Sequence, residues 1–372
     1  MRNQILMHDQ VGLSLIELMI AMVVGLILIA GVLSIFLSSR QSFGINGAVA
    51  QIQENARFAL EFIRKDTRMA GYMGCGYSGS SVVNQLNSST SLPYDFSMGL
   101  TGFEYSGTSP TNTYTITAEN PAAVGASNWS PSLSSNLPTS GSGYAIPGSD
   151  MLVMSLSQGA NSPAYVTSAS GAQFWITVNN GITADDIMVV SNCVSTVIVQ
   201  ATNVTSGGTH IVANTGGSAT PGNAVHGIPA NMIGAQVSTA STVVFYIGEG
   251  ADGSPALYQA TTDPSQASGF DLQELVPGVE NMQILYGVDT TGSFLPSEYD
   301  TADVVTANNT WNQVVSVRVA LLLRSNTGAV PLPAAALPPY DLLGTLISVP
   351  RDTRLRQVFN TTIALRNRLA TP

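Results

Sequence analysis

The sequence predicts an α+β fold in which a long N-terminal α-helix packs on a large, antiparallel β-rich globular domain. The first observation is an apolar run of 25 residues, Leu13–Leu37, whose only charged residue is Glu17. At about 1.5 Å per residue, a helix of this length can cross a bilayer. The second observation is a helical stripe of apolar residues that continues to about residue 70. The third is the series of short alternating strands in the rest of the chain.

The position of Glu17 decides between three interpretations of the N-terminus. A cleaved secretory signal peptide has an apolar region of roughly 7–15 residues followed by a small-residue cleavage site. This run is longer, and no such site precedes Ser38. A plain signal anchor fits the length but leaves the carboxylate unexplained, because an acid in hydrocarbon costs on the order of 2.5–3.5 kcal/mol. The third interpretation gives that carboxylate a function.

Residues 12–17 resemble the N-terminal signature of type IV prepilins: Gly12 ends a short polar leader, an apolar residue follows, and Glu17 comes four positions later. The resemblance implies that a prepilin peptidase cleaves between Gly12 and Leu13 and methylates the new N-terminus. It also implies that Glu17 pairs with the amine at Leu13 of a neighbouring subunit and sets the register of assembly. Departures from the family are the leucine at position 13, where phenylalanine is commoner, and the lack of proline in the span. Met7 is an alternative start that leaves a shorter leader.

The helical pattern continues beyond the membrane span, with apolar residues at spacings of three and four. We expect this stripe to pack on the chain's own globular domain and the helix to end near Ala70 and Gly71. The chain thus divides into a leader (1–12), a transmembrane half (13–37) and an amphipathic half (38–70) of the helix, and a β-rich head (71–372) with a candidate inserted lobe around 78–270. The stripe consists of Ile45, Val49, Ile52, Ala56, Ala59 and Ile63.

Short apolar runs separated by turn residues predict strands in the head. The last two runs alternate with a period of two, which is typical of an antiparallel sheet with one face toward water. In the first of them, Ser316, Arg318, Ala320 and Arg324 are expected on the wet face, with Leu322 as an exception. The predicted strands are Thr113–Thr117, Met151–Leu156, Phe174–Val178, Ile187–Val190, Val194–Gln200, Val243–Ile247, Met282–Tyr286, Val314–Leu323 and Leu355–Leu365.

Three further segments, 66–75, 274–289 and 354–367, resemble the PilW family of type IV minor pilins, a relative of the J-type pseudopilins of type II secretion. The resemblance implies a pilin-like fold, assembly with other minor pilins and the major pilin, and a position at or near the filament tip, where a large tip adhesin is a further expected partner. It places the protein in the bacterial inner membrane, head in the periplasm, before assembly and in the extracellular pilus afterwards. Two alternatives stay open: a J-type pseudopilin, or an adhesive tip head formed by the middle region.

Charge is distributed unevenly along the chain. Between Arg68 and Arg318 there is no Lys or Arg, whereas 16 Asp and Glu lie in that stretch. Such a body lacks the cations that phosphate contacts need, so we expect no nucleic-acid partner. The acids suit a soluble exported surface. A divalent-cation site around Asp185–Asp186, or around Glu249, Asp252 and Asp289, has no Ca²⁺-loop spacing, and no metal is predicted. The Arg354, Arg356 and Arg366 side chains are expected to pair with acids of the same chain.

Two cysteines, Cys75 and Cys193, in an exported domain predict a disulfide. It would close a loop of more than 100 residues and is worth roughly 4–5 kcal/mol in the chain-entropy model. The alternative is two separate buried thiols.

The sequence gives little support to catalysis. It has no G-x-S-x-G elbow, H-E-x-x-H motif or Walker loop. Its three histidines are His8 in the leader and His210 and His226 in loops rich in Gly, Thr and Asn. We therefore expect no catalytic residues, no cofactor and a structural function.

Overall fold

The computed structural model describes residues 14–74, 81–117, 121–158, 162–179, 181–326 and 328–368. Helix α1 spans Leu15–Thr67 and helix α2 spans Ala302–Asn308. The strands are β1 Ser81–Asn84, β2 Leu100–Tyr105, β3 Thr113–Thr115, β4 Trp129–Ser130, β5 Met151–Gln158, β6 Ala164–Ser170, β7 Gln173–Ile176, β8 Ile187–Ser191, β9 Ser195–Gln200, β10 Asn203–Thr205, β11 His210–Val212, β12 Gln236–Glu249, β13 Pro255–Thr262, β14 Phe270–Pro277, β15 Val279–Val288, β16 Glu298–Asp300, β17 Val314–Arg324, β18 Tyr340–Leu342, β19 Thr345–Ser348 and β20 Arg356–Ala364.

Helix α1 is continuous over 53 residues, because no proline interrupts either its apolar or its amphipathic half. It ends at Thr67, whose hydroxyl donates to the carbonyl of Ile63 at 2.6 Å. Burial on the head begins at Ala48, so Ile45 and Val49 are only half-buried. The buried residues of α1 are Ala48, Ile52, Ala56, Ala59, Ile63 and Thr67.

The main core lies between α1, a large sheet and a four-stranded antiparallel sheet of order β16-β15-β17-β20. Alternate residues of β15 and β17 face this core, as the period-two pattern requires. Their buried side chains include Met282, Ile284, Val317, Val319 and Leu321. The four-stranded sheet therefore presents its apolar face to the helix.

The expectation that the second face of β17 meets water is wrong. Every residue of β17 is buried except Arg318. A three-stranded sheet, β18-β19-β3, covers this face, and Ala320 and Leu322 pack there with Ile116, Leu342 and Ile347. The irregular segment between β17 and β20 thus returns over the sheet. This is why Leu322, an exception to the alternation, is apolar.

Strand β12 links two parts of the large sheet, which has 13 strands among the described residues. Its first residues, Gln236–Thr239, lie between β6 and β8, while Val243–Phe245 pair with both β5 and β13. Strands β6–β9 and β11, with the start of β12, enclose a second core that is separate from the one under α1. The head therefore has a lateral lobe that shares one long strand with the main body.

Candidate functional site

The first turn of α1 contains a capping box built from Ser14 and Glu17. The Glu17 amide donates to Ser14 Oγ at 3.3 Å, and Glu17 Oε2 accepts from the Ser14 amide at 3.1 Å and from its hydroxyl at 3.2 Å. Such a box satisfies backbone N–H groups that a helix N-terminus leaves without partners. It also places the carboxylate at the positive end of the helix dipole. Glu17 is thus stabilised within its own chain.

Sequence reasoning identified Glu17 but missed Ser14. The signal was the spacing S-x-x-E ahead of an apolar run, which is the sequence signature of this box. The predicted cleavage residues Gly12 and Leu13 lie outside the described residues. Cleavage there, and pairing of Glu17 with an amine at Leu13, stay predictions.

The first half of α1 exposes apolar side chains on all sides. An 18-residue window in α1 has a mean hydropathy of 2.9, and none of it is buried within the chain. Length and composition make this helix a candidate membrane span. Since so large an apolar surface marks contact with lipid or with other helices, this half of α1 is the part that meets either the bilayer or neighbouring subunits.

The second half of α1 is fixed to the head at several points along its length. Near its start, Asn55 Nδ2 donates to the carbonyl of Pro277 at 3.0 Å. Closer to its end, Arg64 Nη2 donates to Thr361 Oγ1 at 3.1 Å, and Gln259 Nε2 donates to Asp66 Oδ2 at 2.9 Å. Beyond its end, Asn367 Nδ2 donates to the carbonyls of residues 69 and 70. These hydrogen bonds therefore join the second half of α1 to the head in addition to its buried apolar stripe.

A buried ionic cluster joins three strands of the sheet beside Pro277. Glu280 on β15 accepts two bonds from Arg356 on β20, at 2.6 and 3.0 Å, and one from Arg324 on β17 at 3.2 Å. Arg356 also donates to both carboxylate oxygens of Asp352, at 2.8 and 2.6 Å. The free-energy cost of removing these charged side chains from water is offset only when each charge has an oppositely charged partner. The predicted pairing of Arg356 with acids of the same chain is confirmed.

A pair of buried carboxyl groups was not foreseen from the sequence. Asp150 accepts backbone N–H groups from Tyr105 at 3.0 Å and Ile284 at 2.9 Å. Among the described residues Glu104 Oε2 has no partner. Burial and mutual repulsion raise the pKa of Glu104 to about 10, and burial, opposed by the two N–H groups, raises that of Asp150 to about 7. The ionised form of Asp150 is stabilised by two backbone N–H groups, so Glu104 is the group that holds the proton at neutral pH.

Several other predicted positions have structural explanations. One carboxylate oxygen of Asp289 accepts the N–H groups of Thr291 and Gly292, and the other accepts that of Phe294, so this acid closes a turn. His210 stacks on Trp175 with ring centroids 4.6 Å apart. Within the described part of the chain, no three His, Cys, Asp or Glu side chains converge as metal ligands.

The structure describes only one of the two cysteines of the predicted disulfide. Cys193 lies at the turn between β8 and β9 with a positive φ of 69°. Cys75 lies outside the described residues. The chain leading to it passes close to that turn: a Cβ on Gly74 would lie 3.0 Å from Ser191 Cβ, and Met73 packs with Ile187 and Val189.

Together the long apolar helix, its capped glutamate and the β-rich head define the class of this protein, a type IV pilin. A family model for the prokaryotic N-terminal methylation motif matches residues 7–33. A second model, described as type IV pilus-assembly protein W, matches residues 244–367. Both matches are consistent with a type IV minor pilin of the PilW family, and the families that match are those of pilus and assembly proteins. No curated protein and no solved structure matches the chain.

Proposed function

We propose that this minor pilin joins other minor pilins to prime growth of the pilus and stays at or near the filament tip. The observation that carries the proposal is the attachment of a pilin helix to a head with a lateral lobe and two separate cores. In a filament shaft, copies of one head pack side by side, so a broad head crowds the lattice. A subunit at the end has neighbours below it and open space above.

The capped glutamate supports a two-stage role for the N-terminus. Before assembly, Ser14 supplies hydrogen-bond donors to Glu17, which lowers the cost of holding a carboxylate near hydrocarbon. After cleavage by the prepilin peptidase between Gly12 and Leu13, the new amine of a neighbouring subunit is a stronger partner because it carries a positive charge. Exchange of the cap for this ion pair then couples entry into the filament to correct register.

We further propose that α1 crosses the inner membrane once before assembly, with the head in the periplasm. The partners are the prepilin peptidase, other minor pilins, the major pilin and a large tip adhesin. The role is structural, without catalysis. The support for this is the family of assembly proteins to which the chain is similar and the fixed contact between helix and head, which lets a push on the helix move the head.

Sheared surface filaments provide the test. We expect the protein in trace amounts with sheared pili, and loss of surface pili in a deletion strain. Intact pili together with lost secretion of exported proteins in that strain would refute the proposal and favour a pseudopilin of type II secretion. A copy number close to that of the major pilin would refute the tip position.

Processing is tested separately by replacing Gly12 with a bulkier residue. We expect the leader to stay attached, which intact-mass measurement detects as a product heavier by the 12 leader residues. Normal cleavage of a Gly12→Leu variant would contradict the proposed peptidase site.

A further inference from the structure

We propose that strand β20 accepts an extended, acidic strand of a neighbouring pilin-class subunit along its open edge. β20 is the last strand of the four-stranded sheet, and within the described part of the chain it pairs with β17 alone. It runs over nine residues. An open strand edge of this kind is a template for pairing with another chain. The inference rests on the proposed assembly with other pilins and adds the surface through which one of them docks.

The register of the β17–β20 pair shows which backbone groups face the open edge. The N–H of Leu365 donates to the carbonyl of Val315 at 2.9 Å, and the N–H of Ser325 donates to the carbonyl of Leu355 at 2.8 Å. The ladder between these two pairs has no register shift. Because hydrogen-bonded and non-hydrogen-bonded pairs alternate in an antiparallel ladder, the odd-numbered residues of β20 bond to β17 and the even-numbered ones point their N–H and C=O groups outward. These outward residues are Val358, Asn360, Thr362 and Ala364.

β20 lacks the features that commonly protect an exposed edge, namely lysine, proline or a β-bulge. Its one charged residue, Arg356, is turned into the buried cluster with Glu280. Strand β14 also pairs on one side only among the described residues, but it is protected. It carries Asp271 and Glu274, its ladder with β13 contains a register shift, and it ends at Pro277. The head thus protects one long edge and leaves the other able to pair.

The flank of α1 beside β20 is basic, which favours an acidic strand. Arg64 Nη2 donates to Thr361 Oγ1, so this flank of α1 lies against β20. Arg57 and Arg68, seven residues before and four residues after Arg64, lie on the same flank of the helix, and both are exposed. Glu61, 3.9 Å from Arg64, offsets one of the three positive charges. A partner strand with acidic side chains would complement the rest.

Photo-crosslinking in cells that assemble pili provides the test. p-Benzoylphenylalanine is incorporated in place of Thr362 in the full chain, and peptide mass spectrometry identifies the segment to which it links. We expect this segment to be an acidic stretch in the head of another pilin-class subunit. The same probe in place of Asp271, on the protected edge of β14, is the control and should give no such product.

Two substitutions at Asn360 separate backbone pairing from side-chain contact. Asn360→Pro removes an outward N–H but leaves the ladder to β17 intact, whereas Asn360→Ala keeps that N–H. We expect the crosslink yield at Thr362 to be at least tenfold lower in Asn360→Pro than in Asn360→Ala. The midpoint of urea unfolding should be similar in the two purified variants. If Asn360→Pro does not fold, Ala364→Pro removes an outward N–H nearer the strand end and should also lower the yield.

The proposal is overturned if the probe at Thr362 gives no crosslink above the Asp271 control, or if the proline and alanine variants crosslink equally. A crosslinked segment that is basic, or that belongs to a second copy of this chain, overturns it too. Failure of the pilus function gives a different result: a deletion strain keeps its pili, while the probe links to an acidic segment of a type II pseudopilin. That outcome would refute the tip role and support strand pairing.

Discussion

At the residue scale, Glu17 caps its own helix in the isolated chain, and we propose that it pairs with a neighbouring subunit in the filament. The capping box gives its carboxylate the Ser14 amide and hydroxyl as donors. A neighbour's amine would add a full positive charge. On this proposal, the difference between the two environments favours assembly over the isolated helix.

Replacing Glu17 with glutamine should separate these two roles. Glutamine can still occupy the third position of a capping box, but it cannot form an ion pair. We expect Glu17→Gln to be cleaved normally while its recovery in sheared pili falls at least tenfold, as measured by immunoblotting against total cell protein. The matched variant Ser14→Ala loses about 0.5–2 kcal/mol of helix capping but keeps the charge, so it should assemble better than Glu17→Gln. Normal assembly of Glu17→Gln would rule out the ion pair.

Glu104 makes stability depend on pH in the direction opposite to most carboxylates. Its pKa is raised to about 10 in the folded head, from an ordinary value of about 4.5, chiefly by burial and by repulsion from Asp150. Between these two values the folded state binds more protons than the unfolded state, so stability falls as pH rises. Below about pH 4.5 Glu104 is protonated in both the folded and the unfolded state, and its contribution to stability is fully present.

We expect the midpoint of urea unfolding of the wild type to decrease from pH 5 to pH 9. Glu104→Gln keeps the neutral shape of the side chain and should flatten this decrease. Glu298→Gln changes an exposed acid and serves as the control. A wild type that becomes more stable over this range, or an unchanged slope in Glu104→Gln, would contradict the assignment of the proton to Glu104.

At the scale of single elements, sequence pattern predicted strands that show a clear apolar run or a period of two. All nine predicted strands are present, and eight lie within a few residues of their expected ends, whereas β12 begins seven residues before the predicted Val243. Strands such as β1, β10 and β16 escaped because they have only three or four residues, too few for a period to appear. The wet face assigned to β17 was wrong, because the covering strands β3, β18 and β19 are short and β3 lies far from β17 in the sequence.

For the candidate site too, the sequence predicted the features that depend on local spacing and missed those that depend on contacts between distant segments. Glu17 and the buried helix stripe follow from spacing along one helix. Glu104 and Asp150 lie 46 residues apart on the chain and meet only after β2 pairs with β5. Such contacts depend on the topology of the large sheet, which local periodicity does not contain.

The ionic cluster at Glu280 ties the four-stranded sheet together and is the element-scale feature most open to test. Removing one partner of a buried ion pair leaves a charge without compensation and typically costs about 3–5 kcal/mol. We expect Arg356→Met to lose this much free energy of unfolding, measured by urea denaturation. The exposed pair Glu61 and Arg64, 3.9 Å apart, is the comparison. Glu61→Gln should cost less than about 1 kcal/mol, and equal losses in the two variants would contradict the role of the cluster.

At the scale of the whole molecule, the lateral lobe must stay aligned with the helix if the head is to take one position at the filament end. Strand β12 provides one connection, since it belongs to both parts of the large sheet. We propose a disulfide between Cys75 and Cys193 as the second connection. The support is the approach of Gly74 to Ser191 just beside the β8–β9 turn that carries Cys193.

Replacing both cysteines tests this second connection. A bridge that closes more than 100 residues restricts the unfolded chain by about 4–5 kcal/mol, and strain in the folded state would lower that value. The double variant Cys75→Ser, Cys193→Ser should therefore unfold at a lower urea concentration than the oxidised wild type, and a reducing agent should lower the stability of the wild type alone. Mass mapping of peptides prepared without reduction should find the two cysteines linked. If both thiols react with an alkylating agent in the native, unreduced protein, the lobe is held by β12 and its packing alone.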